Sequence, residues 1–204
     1  AGSKKLGIDY SGNISLATIP NTVEVLNGDE YRALVKKKYP NRADVLGLLD
    51  TNSTQSTDWQ KEIFQSAIST DHNLALTGAV STMPYRVSVG YTYQDGILKT
   101  DNMQRFSAAA NLNPTFFKNY LKINFNGKYL FEKNRFADQG AIGSAINFDP
   151  TKPVTANNKF GGYWAWLQPG DTIPVGQAPS NPVATLELRD DRSNVNRVLG
   201  NIQA

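Results

Sequence analysis

The stretch Asn119-Tyr120-Leu121-Lys122-Ile123-Asn124-Phe125-Asn126-Gly127-Lys128-Tyr129-Leu130-Phe131-Glu132 alternates apolar and polar residues with hardly a break. Leu121, Ile123, Phe125, Gly127, Tyr129 and Phe131 point one way. Lys122, Asn124, Asn126, Lys128 and Glu132 point the other. Period-two alternation predicts a β-strand with one apolar and one polar face. Soluble strands usually run to roughly 5–6 residues. This one is longer and ends in aromatics. It therefore resembles a strand that crosses a bilayer, with its apolar side in lipid, its polar side toward a wet interior and aromatics at the interfaces.

The same pattern recurs outward from it. Tyr85, Val87, Val89, Tyr91 and Tyr93 alternate with Arg86, Ser88, Gly90, Thr92 and Gln94. Phe106, Ala108, Ala110 and Leu112 alternate with Arg105, Ser107, Ala109 and Asn111. Leu6, Ile8, Tyr10, Ile14 and Leu16 open the chain in like manner, and Leu74, Leu76 and Val80 mark another strand. The expected fold is all-β: an antiparallel up-and-down meander of about six strands. These lie near 5–17, 71–81, 85–94, 104–113, 119–132 and 194–204. Thr82-Met83-Pro84, Gln94-Asp95-Gly96 and Asn113-Pro114-Thr115 read as turns.

Two long connections, near 19–69 and 135–190, have a different character. In the first, Asn27-Gly28-Asp29-Glu30 is a capping-box start for a helix that stops before Pro40. A second short helix is expected near Asp58–Phe64. The connections alternate long, short, fairly short, short, long. Transmembrane barrels show this parity, with short turns on one side of the membrane and long loops on the other.

Composition narrows the classes. The chain has 204 residues, 40% of them hydrophobic, and a mean hydropathy of -0.42. No stretch approaches the ~20 apolar residues of a membrane helix. With no cysteine and one histidine, His72, disulfides and thiolate or multi-histidine metal sites are not available. No phosphate loop, nucleophile elbow or carboxylate pair is legible, so no enzyme, cofactor or metal is expected. The net charge of +3 is spread along the chain, which argues against nucleic acid. Alternation is still running at Asn201–Ala204, and the expectation is a piece of a longer protein.

Several of these phrases together resemble the SusC/RagA family of TonB-dependent outer-membrane transporters. They are Thr57-Asp58-Trp59-Gln60-Lys61-Glu62-Ile63-Phe64, His72-Asn73-Leu74-Ala75-Leu76-Thr77-Gly78, Tyr85-Arg86-Val87-Ser88-Val89-Gly90-Tyr91 and Gln94-Asp95-Gly96-Ile97. Phe106 to Asn113, Leu121-Lys122-Ile123-Asn124 and Asn196-Arg197-Val198-Leu199-Gly200-Asn201 complete the series. The resemblance implies a 22-stranded barrel filled by an N-terminal plug, with this chain supplying the first barrel strands after it. It also implies a SusD-like surface lipoprotein as partner, energy from TonB through the plug, and an oligosaccharide or peptide substrate. The setting is the lipid of the bacterial outer membrane. The rival is a soluble or surface β-rich glycan-binding module that buries its apolar strand faces against a second sheet.

Two groups of side chains are candidate contacts. Phe160, Tyr163, Trp164 and Trp166 cluster in the second long loop. Such aromatics stack on sugars or anchor a partner, and they equally well hold a loop's own shape. Arg86, Arg105, Lys122, Lys128 and Arg197 fall in the polar, lumen-facing register, with Asp9 and Glu132 as the acids there. A basic wall attracts anionic solutes; pairing with carboxylates of a plug is the other reading. His72 is expected at the membrane interface.

Overall fold

The computed structural model describes residues 5–49, 53–81, 83–168, 170 and 173–204. Six long strands make one antiparallel sheet in sequence order: β1 (Gly7–Ala17), β2 (Ala67–Val80), β3 (Met83–Asp95), β4 (Asn102–Leu112), β7 (Asn124–Phe136) and β8 (Asp191–Gln203). Every long strand pairs with its neighbour in the chain, so the sheet is an open meander.

Residues directly opposite each other in antiparallel strands share a face, and the register sorts the side chains into rows. One row is Tyr10, Leu74, Val89, Ala108, Tyr129 and Val198. The next is Ile8, Leu76, Val87, Ala110, Gly127 and Gly200. On the opposite side lie Asn13, Asp71, Thr92, Arg105, Glu132 and Val195, and then Gly7, Thr77, Arg86, Asn111, Asn126 and Asn201. One face is therefore apolar across all six strands and the other largely polar. The apolar face is bare: Tyr10, Leu74, Val89, Tyr91, Phe106 and Val198 are all exposed. Among the described residues no second layer covers these side chains, whereas a sandwich would bury them.

Several strand limits depart from expectation, three of them with a cause in the pairing. β2 begins at Ala67, because Ala17 and Leu16 of β1 still have Ala67 and Ile68 to pair with. Met83 and Pro84 belong to β3 and pair with Val80 and Ala79, so the turn tightens onto Ser81, whose φ is +54°; Thr82 lies outside the described residues. The expected strand 119–132 is broken. Thr115–Phe116 (β5) and Leu121–Lys122 (β6) form their own two-stranded ladder around a 3-10 turn, Phe117–Asn119, and the long strand restarts at Asn124. Lys122 therefore sits opposite Thr115 in a turn, outside the six-stranded sheet.

The connections 18–66, 96–101 and 137–190 leave from one end of the meander, and the two inner turns from the other. The two long connections carry helices, the two expected in the first of them included. They are α1 (Gly28–Lys38), α2 (Ala43–Gly47), α3 (Trp59–Ile63), α4 (Gly140–Asn147) and α5 (Pro182–Glu187). The capping box expected at Asn27 is present: its Oδ1 accepts from the amides of Asp29 and Glu30, and Glu30 accepts from the Asn27 amide.

The hydrophobic core lies in this loop layer. Trp59, Ile63, Leu98, Ala141, Ala145, Phe148, Val183 and Leu186 form one buried cluster. It draws on all three outer connections. The 96–101 turn is pinned by Gln65 N–H to the Ile97 carbonyl at 2.9 Å and Lys99 N–H to the Ile63 carbonyl at 2.9 Å. Gln94-Asp95-Gly96 is thus no free hairpin turn: β3 runs to Asp95, and Leu98 beyond it is buried.

Candidate functional site

The aromatic candidates of the second long loop sit on a relay of rings running outward from the core. Trp59 meets Phe148 edge-on with centroids 4.7 Å apart, Phe148 meets Trp164 at 5.9 Å, and Trp164 meets Trp166 at 4.7 Å. Trp59 is buried; Trp164 and Trp166 are half-buried. The backbone holds them in register, with Trp164 N–H donating to the Val154 carbonyl and Val175 N–H to that of Trp166. Tyr163 and Trp164 both pack against the core. Phe160 stands apart: it precedes a Gly-supported turn (Gly161 and Gly162, φ +82° and +77°), and its ring contact is with Lys159.

Two buried polar residues organise this region. Asn181 caps α5, its Oδ1 accepting from the Val183 and Ala184 amides. Its Nδ2 donates to the carbonyls of Val154 and Trp164. One side chain thus ties a helix start to the aromatic loop. Lys152 is the second: its Nζ donates to the Leu48 carbonyl at 2.6 Å and lies 5.2 and 5.3 Å from the ring centroids of Trp164 and Trp166. Alternation offered no signal for Lys152, because its hydrogen-bond acceptor is on a segment about a hundred residues away in the chain.

Among the clefts of the loop layer, two adjoin the aromatic residues. The larger, about 590 Å³, lies between the two long loops and is lined by Val25, Tyr31, Trp59, Ile146 and Phe148 among others. The Tyr31 hydroxyl there is held above its ordinary pKa by burial first and by the Asp149 carboxylate second. The smaller, about 360 Å³, is lined by Leu48, Lys152, Asn157, Asn158, Trp164 and Trp166.

The basic residues divide. Arg86, Arg105, Lys128 and Arg197 share the polar face by register, and Lys122 does not. Two meet acids of that same face: Arg105 reaches Glu132 at 2.7 Å, and Arg86 lies 3.9 Å from Asp9. These pairs blunt the positive wall. His72 stands on the apolar face in a row with Tyr91, Phe106 and Phe131, and its Nδ1 is 2.7 Å from the Tyr10 hydroxyl.

A bare two-faced meander with an aromatic-edged apolar side and a loop layer at one end is the wall of an outer-membrane β protein. No family model matches the chain. It is 41% identical over 96% of its length to the TonB-dependent receptor SusC of Bacteroides thetaiotaomicron, and covers 20% of that protein. It is 27% identical over 98% of its length to the TonB-dependent receptor P26 of Formosa agariphila, covering 19% of it. Among solved structures, the RagAB peptide importer in its closed-closed state superposes with a TM-score of 0.53 at 20% identity. That match covers 68% of this chain and 19% of the other, and carries the fold alone. The chain thus spans about a fifth of the length of the relatives it matches. It belongs to the SusC/RagA family of TonB-dependent receptors, proteins of the bacterial outer membrane.

Proposed function

We propose that this chain is the N-terminal part of the barrel domain of a TonB-dependent importer of oligosaccharides or peptides. Its six long strands would be the first of a 22-stranded barrel. The loops near 19–69 and 135–190 would face outside, where a SusD-like lipoprotein closes over them. TonB would act through a plug inside the barrel. Arg86, Arg105, Lys128 and Arg197 would then face that plug or the solute, and Trp164 and Trp166 the ligand or the lipoprotein.

The observation that carries this reading is the bare apolar face shared by all six strands. In water a patch of that extent far exceeds the few hundred Å² normal for a monomer; in lipid it is the expected surface. The similarity to the TonB-dependent receptors SusC and P26 supports the same class. A glycan-binding module in solution would need that face covered, and among the described residues its side chains are exposed.

The test uses the intact protein in its native membrane. Fractionation should recover it with outer-membrane markers, and the uptake of a labelled substrate pool should stop when TonB is deleted. Affinity purification should bring down a surface lipoprotein. Recovery in the soluble fraction, or uptake indifferent to TonB, would refute the proposal.

A further inference from the structure

The Lys152 ammonium is buried beside a cleft without a counter-ion. The residue is 8% exposed. Of its three N–H donors, one goes to the Leu48 carbonyl, and the centroids of two indole rings lie 5.2 and 5.3 Å from the nitrogen. Among the described residues no carboxylate pairs with it. Asp149, three residues earlier, turns its Oδ1 to the amide and hydroxyl of Thr151 instead. Burying a charge without a partner is costly, and ring faces and one carbonyl offset only part of that. The position is therefore primed for an anion. The cleft beside it, about 360 Å³, has the walls a sugar ring needs: indoles for its apolar face and Asn157 among the polar lining, while Asn158 is held by the Phe160 amide and the Tyr163 carbonyl.

We infer that the cleft between Leu48 and the Trp164–Trp166 pair binds an acidic saccharide, one whose ring carries a carboxylate or a sulfate ester, with Lys152 receiving the anion. Desolvation makes the charge contact selective, because a neutral ring leaves the ammonium unpaired. This deepens the importer reading and rests on it: it assigns that importer a substrate class and an outer-loop subsite.

The experiment is titration calorimetry on the intact protein in detergent with three probes: trigalacturonate, its methyl ester and a sulfated galactose trisaccharide. Trigalacturonate or the sulfated probe should bind at least tenfold tighter than the methyl ester, and whichever does so names the anion. Lys152→Met should abolish that preference and bring acid and ester to the same affinity. Trp166→Ala should weaken acid and ester alike. An acid-to-ester ratio near one in the unaltered protein overturns the inference, and this needs no variant to fold. A preference that survives Lys152→Met overturns it too, as does an acidic peptide that binds through Lys152 more tightly than either saccharide. A protein that sits in the outer membrane and imports only neutral solutes with TonB leaves the importer reading standing while this inference fails.

Discussion

Val89 is the position where the lipid contact can be tested most sharply. It lies on the apolar face between Leu74 and Ala108, and is itself exposed. On the same face of β3, Tyr85 stands four residues before it and Tyr93 four residues after. At about 3.4 Å per residue, the two tyrosines are roughly 27 Å apart along the strand. With a strand tilt of about 35–45°, that becomes about 19–22 Å along the membrane normal, close to the ~25 Å apolar band of such barrels. Val89 is thus near the midplane, and Val89→Arg should cost about 2–4 kcal/mol, an equilibrium shift of roughly 30- to 900-fold. Thr70 supplies the control. It shares the apolar side in the row of Tyr93, which also holds Lys133. At that depth Thr70→Arg should cost only about 0–1 kcal/mol. Denaturant titration of the intact protein refolded into lipid vesicles measures both. Equal costs at the two positions would refute the depth argument; a Val89→Arg cost under 1 kcal/mol would refute the lipid contact.

Other outcomes follow from the loop layer and the open sheet. Ile63 is 0% exposed at the centre of the core; Ile63→Ala should cost about 2–5 kcal/mol and speed proteolysis within 96–101 and 137–190 while the strands stay protected. Gln60 pairs with both backbone groups of Val23, at 2.9 and 2.7 Å, so Gln60→Ala should raise amide exchange at Val23 and cost about 1–3 kcal/mol. The Asp138 carboxyl is held below its usual range by the Arg189 guanidinium and then by the Gly140 amide. A depressed carboxylate stabilises above its unfolded pKa and loses that contribution as pH falls through the folded value. Protection of the Gly140 amide should therefore survive to a lower pH than an ordinary carboxylate would allow, and in Asp138→Asn it should be weaker and no longer change with acid pH. The 204-residue chain by itself should sediment as a defined species in detergent and aggregate in plain buffer, since β1 and β8 leave open edges and the apolar face is bare. A folded monomer in plain buffer would count against the membrane reading.

The sheet was legible because side-chain direction in a strand is a local property. Once Tyr85 to Gln94 alternate, each residue's face follows from its parity alone. The short connections then force neighbours to pair in order. Alternation was blind to partner changes: Leu121 and Lys122 keep the pattern of the strand that follows, yet pair with Thr115 and Phe116 across a tight turn. Lys122 was misplaced for that reason. The aromatic loop was legible as a cluster and not as a geometry, since Phe160 and Trp164 are neighbours in sequence and have different partners.

By itself, then, the sequence determined the two-faced strands, their order, the capping box at Asn27 and the family. Each is written in residues at most a few positions apart or in phrases read in series. Tertiary structure alone decided that three outer connections share one core. It also decided that Lys152 finds its acceptor on Leu48, and that Trp59 donates to the Asp149 carbonyl. Those contacts join segments some ninety to a hundred residues apart. They form because large rings and a long cation must be buried somewhere, and no period along the chain records where.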